Sequence, residues 1–163
     1  MKDLNPVDNY LHGSWEALGN AAPVLVALAQ LCSERWVRPP QIADEELLLT
    51  LGGEAKAILY AARDRGTIEL KAVNSAFDAA ARLLAVYVEL SDEQTIAFRD
   101  PHEPSVTVQF LEGFKQLCEY GLIMHHIYRD FSLAPRALVL AQTIAHEEVS
   151  QLLEKATEFG IHD

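Results

Sequence analysis

The last quarter of the chain constrains the fold most. From about Pro135 onward, Leu138, Ala141, Ala145, Val149, Leu152, Ala156 and Phe159 recur at steps of 3, 4, 4, 3, 4 and 3 residues. Glu147, Glu148, Gln151, Glu154 and Lys155 fill positions between them. That spacing keeps an apolar stripe on one side of a helix, and it predicts one continuous amphipathic rod of roughly six turns, ended by Gly160. So long a helix in a 163-residue chain extends past its own core, and the pattern therefore predicts pairing into a homodimer.

The rest of the chain reads as a mostly α (α+β) fold, a helical domain carrying short β-hairpins and forming one domain over residues 1–163. Half the residues are hydrophobic, enough for one core. Residues 1–40 form a helical arm: a first segment around Tyr10 to Leu18, then a helix from Ala22 to Val37 with Pro23 in its first turn. Val24, Leu25, Val26, Leu28, Leu31 and Cys32 make that helix apolar on nearly all sides. Such a helix is either central to the core or half of an oligomer interface. Pro39-Pro40 ends it. Asp44 caps a short helix to Leu51, and Gly52-Gly53 separates it from another over Glu54–Arg65. Gly66 sits at that helix's C-terminal cap, and Thr67–Leu70 alternates as a strand. Ser75 and Asp78 have capping-box spacing before a helix from Ala76 to Leu84. Val86, Val88 and Leu90, then Ile96 and Phe98, alternate about the polar turn Ser91–Gln94 as a β-hairpin. Phe110, Leu111, Phe114, Leu117 and Cys118 favour helix over most of 106–120.

The formal net charge is −11, from 24 acidic and 13 basic residues, which repels phosphate backbones and anionic lipid at long range. The first residues lack the pattern of a signal peptide, and the most apolar segment, Ala21–Leu31, is too short to span a bilayer. A cytoplasmic protein with no membrane partner is expected. The two cysteines, Cys32 and Cys118, each fall in an apolar helical pattern and read as buried reduced thiols.

Leu117-Cys118-Glu119-Tyr120-Gly121-Leu122-Ile123, followed by Phe131-Ser132-Leu133-Ala134-Pro135-Arg136-Ala137, resembles the C-terminal part of winged helix–turn–helix domains. In that family a helix ends at a glycine, two strands form a wing, and a proline opens the next helix. The resemblance covers about 106–145, and with the long terminal helix it defines a winged-helix-like segment over 106–159. Ala134 replaces the usual capping hydroxyl residue, Ala137 stands where glycine is usual, and a hairpin precedes residue 106. By the resemblance the recognition helix would carry Gln109, Glu112, Lys115 and Gln116. The wing would offer His125, His126, Tyr128 and Arg129 to a partner or ligand. One lysine against Glu112 and Glu119 equips that helix poorly for a phosphate-lined groove.

The sequence contains no nucleophile elbow, P-loop, dinucleotide fingerprint or zinc-protease helix. His125 and His126, adjacent on a strand, point to opposite faces and cannot chelate one ion together. No catalytic residue, metal or cofactor is expected. These readings favour a non-catalytic regulatory or protein-interaction module, homodimeric, with a protein partner ahead of nucleic acid. The alternatives are a DNA-binding transcriptional regulator and a small-molecule binder or enzyme whose site lies between the helices and the hairpin.

Overall fold

The apolar run after Pro23 forms α1 (Ala22–Val37), as its pattern predicts. This computed structural model describes residues 22–73 and 83–160. The expected helix around Tyr10–Leu18 lies outside them, as does most of the one expected over Ala76–Leu84. Two of that second helix's residues are described, and Leu83 and Leu84 both stand in a strand.

Two short helices follow α1, α2 (Asp44–Thr50) and α3 (Gly53–Ala61). Asp44 is not the cap of α2. Ala43 takes the extended N-cap conformation without a side-chain bond, and Asp44 is the first helical residue, its Oδ1 accepting a bond from Arg136 Nε at 2.9 Å. Helix α3 ends four residues before the expected Arg65, and the chain then turns through Ala62–Arg65. Gly66 takes φ +72° and donates its N–H to Ala62 O at 2.7 Å, a left-handed position that side-chain-bearing residues adopt at a cost.

Beyond Gly66 comes β1 (Thr67–Val73), then the hairpin of β2 (Leu83–Glu89) and β3 (Gln94–Phe98). Pro104 opens α4 (Pro104–Glu119), whose spacing buries Val106, Phe110, Gly113, Phe114, Leu117 and Cys118. Gly121, φ +73°, turns the chain into β4 (Ile123–Ile127) and its return strand β5 (Asp130–Leu133). The β2–β3 hairpin matches its alternating pattern, and β4–β5 is the pair of short strands expected after Gly121. They do not stand apart: β1 pairs antiparallel with β2 and with β5, joining everything into one sheet of order β4-β5-β1-β2-β3-β6, its last strand being β6 (Thr157–Gly160). The chain is an α+β protein.

The core lies between α4 and the sheet face carrying Ile68, Leu70, Val86, Val88, Ile96, Phe98 and Phe131. Phe98 meets Phe110 at 4.6 Å between ring centroids, and Phe114 meets Phe131 edge-on at 5.2 Å. At Gly113 the α3 backbone passes so close that a Cβ there would stand 2.8 Å from Ala55 N.

The continuous C-terminal helix does not form. Pro135–Ala141 is α5, residues 142–145 break the helix, His146–Leu153 is α6, and Thr157–Gly160 is strand β6 paired with β3. Ala145 is extended, φ −79° and ψ 142°, and the Thr143 hydroxyl turns back to Leu140 O at 2.7 Å. Of the periodic residues, Ala141 on α5 and Val149 on α6 are buried, while Leu138 and Ala145 are exposed. A straight rod of this length would extend about 36 Å and carry Thr157–Gly160 away from β3. The homodimer expectation therefore loses the long helix on which it was based.

Candidate functional site

Helix α4 and its neighbours place the four expected recognition residues in different settings. Gln109, Glu112 and Lys115 are exposed. Gln116 is part of the scaffold: its Oε1 accepts from Gly52 N–H at 2.8 Å and its Nε2 donates to Thr50 O, holding the α2–α3 junction against α4. Glu112 and Lys115 stand with Leu111 on one wall of an open apolar groove of about 440 Å³, whose other wall is Pro23, Val24, Ala27, Leu28 and Leu31 of α1.

This groove exists because α1 is apolar on nearly all sides but buried on one. Leu25, Leu28 and Cys32 face the core. Pro23, Val24 and Ala27 remain exposed and Leu31 half-buried. The same helix ends in exposed Trp36 and Val37, beside a smaller cleft of about 260 Å³ lined by Cys32, Ser33, Trp36, Val37, Met124 and His125.

The wing residues share one hairpin turn, and the turn uses them. His125 Nε2 donates to Tyr128 O at 2.7 Å, which places the proton on Nε2 because a carbonyl only accepts. Tyr128 sits at φ +57°, the only non-glycine residue with positive φ among those described. Arg129 Nε pairs with Glu69 at 2.8 Å, and its carbonyl accepts from Leu70 N–H. His126 points away and reaches Ser132 Oγ at 2.6 Å. The arginine that a phosphate contact would need is thus already neutralised by a carboxylate on β1.

Comparison with protein-family models, curated proteins and solved structures finds no match.

One further cleft was not anticipated residue by residue. It opens between α3, α6 and the β2–β3 hairpin, with a volume of about 450 Å³. Tyr60 forms its wall, flanked by the Arg63 guanidinium 3.9 Å from the ring centroid and by the His146 ring at 5.7 Å. Asp64, Leu90, Ile96 and Leu153 are also in the lining. Residues 60–64 and 146 come together only because α6 folds back across α3, and the unbroken-helix reading concealed that. Among the described residues, no group of three or more His, Cys, Asp or Glu is placed to hold a metal ion, and no helix is long and apolar enough to cross a membrane.

Proposed function

We propose that this chain is a non-catalytic, homodimeric protein-interaction module whose two copies meet along the outer face of α1. The observation that carries the reading is the unburied half of α1, where Val24 is 42% exposed in a helix of otherwise core-like composition. A second copy suits the groove because its rim is self-complementary. Glu112 and Lys115 line the same wall of the groove, so a two-fold axis passing between them would set each against the opposite charge of the other copy. The winged-helix reading of residues 106–145 belongs to the same proposal. It is supported by the order α4, Gly121, β4–β5 and Pro135-led α5.

Sedimentation equilibrium tests the proposal. The parent chain is expected to dimerise at micromolar concentration, and Val24→Glu with Ala27→Glu to leave a folded monomer. Glu112→Lys and Lys115→Glu are expected each to weaken the dimer and, combined, to restore it. A parent chain that stays monomeric, and dimerises only when residues 1–20 are removed, would show the groove filled by the chain's own N-terminal segment and sink the proposal.

The Tyr60 cleft favours a second reading, binding of a small planar anion between Arg63 and His146. Titration with benzoate while following the His146 ring resonances checks it. Shifts that saturate support the reading, and unmoved resonances at millimolar probe reject it. DNA binding has less behind it, since Lys115 is the one cation of α4 and Arg129 is paired.

A further inference from the structure

Cys32 on α1 and Cys118 on α4 are 86 residues apart in the chain, yet their sulfurs lie 3.5 Å from one another. Both are free thiols, and both are buried. A disulfide has sulfurs roughly 2.05 Å apart, so the pair is within a small displacement of bonding.

The two residues differ in their surroundings. Cys32, though buried, is among the residues lining the cleft between the C-terminal turn of α1 and β4, and Cys118 is not. Burial, and then the neighbouring Cys32 thiol, push the Cys118 thiol well above the ordinary range, so it stays protonated.

We propose that Cys32 is a site of oxidation by small hydroperoxides and that Cys118 resolves the product into an intramolecular disulfide. The Cys32 sulfur attacks one oxygen of the peroxide, and the O–O bond breaks. The released alkoxide or hydroxide takes the Cys32 proton and leaves as alcohol or water. Cys32 is then a sulfenic acid. The Cys118 sulfur attacks the Cys32 sulfur, the S–O bond breaks, and the departing hydroxide leaves as water with the Cys118 proton. The peroxide is reduced by two electrons and the dithiol is oxidised by two. The bond ties α1 to α4 and closes a long loop of the unfolded chain, so the oxidised protein is expected to resist urea better than the reduced one. None of this depends on the dimer.

The test treats the full chain with a small molar excess of hydrogen peroxide at neutral pH, quenches with catalase, and alkylates in denaturant. The expected result is an unalkylated protein lighter by two hydrogens, with one Cys32–Cys118 peptide in the non-reduced digest. In Cys118→Ser, dimedone is expected to label Cys32. In Cys32→Ser, Cys118 is expected to remain unlabelled. Full alkylation of both cysteines in peroxide-treated parent chain would overturn the proposal, as would disulfides between chains in place of the internal one. Dimedone on Cys118 in the Cys32→Ser variant would overturn the assignment of roles. The mass measurement on the parent chain stands alone if either variant fails to fold.

Discussion

Gly113 is the residue on which the approach of α3 to α4 depends. An added Cβ would lie 2.8 Å from both Ala55 N and Glu54 Cβ, and backbone cannot swing aside as a side-chain tip can. Gly113→Ala is expected to cost about 1–3 kcal/mol, read as a lower urea midpoint at an unchanged slope. Cys118 supplies a pH signature. Its folded pKa is raised by burial, so above the ordinary thiol range the unfolded chain releases a proton that the folded chain retains. The unfolded state then binds fewer protons, and stability falls as pH rises beyond about 8.5. The contribution is fully present below that pH. Urea unfolding along a pH series is expected to show this decline in the parent chain and a flatter curve in Cys118→Ala, whatever the offset between them. At this scale the histidines were also legible: adjacency on a strand sends His125 and His126 to opposite partners, Tyr128 O and Ser132 Oγ.

Among the elements, α1, α4 and the β2–β3 hairpin matched their patterns, and the stripe with the strongest periodicity did not. Helix α1, helix α4 and the β2–β3 hairpin follow from apolar spacing, with Pro23, Gly66 and Gly121 as punctuation. The stripe from Leu138 to Phe159 is equally regular, but periodicity reports which side of a segment is apolar and not whether the segment is unbroken. The break at 142–145 lets α5 and α6 pack against α3 while Thr157–Gly160 completes the sheet beside β3. Ala145 now occupies an N-cap position with extended backbone and no side-chain acceptor. Ala145→Ser is therefore expected to stabilise the protein by about 0.5–2 kcal/mol, seen as a raised melting temperature. In an unbroken helix the same change would be neutral or slightly unfavourable.

For the whole molecule, the net charge of −11 bears on the proposed dimer. The Glu112–Lys115 contacts proposed across the groove are exposed pairs of small value, about 0–1 kcal/mol each, while the long-range repulsion acts between two strongly acidic bodies. Raising the salt shortens the Debye length from about 30 Å to about 8 Å between 0.01 M and 0.15 M. Dimerisation is expected to tighten over that range in sedimentation equilibrium, and a dimer that weakens instead would place the charged rim, not the apolar face, in control. The proposed interface was half visible in the sequence, because a helix apolar on nearly all sides has more apolar surface than one core contact covers. Which face stays open could not be read, since it depends on where α4 lands.

By itself the sequence determined the α+β class, the main helices and hairpins, and the absence of any recognised catalytic motif. These are properties of neighbours along the chain, set by side-chain period, by proline and by glycine. Only the tertiary structure decided that β1 joins the two hairpins, that the C-terminal stripe folds into two helices and a strand, and that Tyr60 meets His146. It likewise placed Cys32 against Cys118. Each of these rests on contacts between residues far apart in sequence, whose free energy appears only when the chain closes on itself, and local patterning carries no record of it.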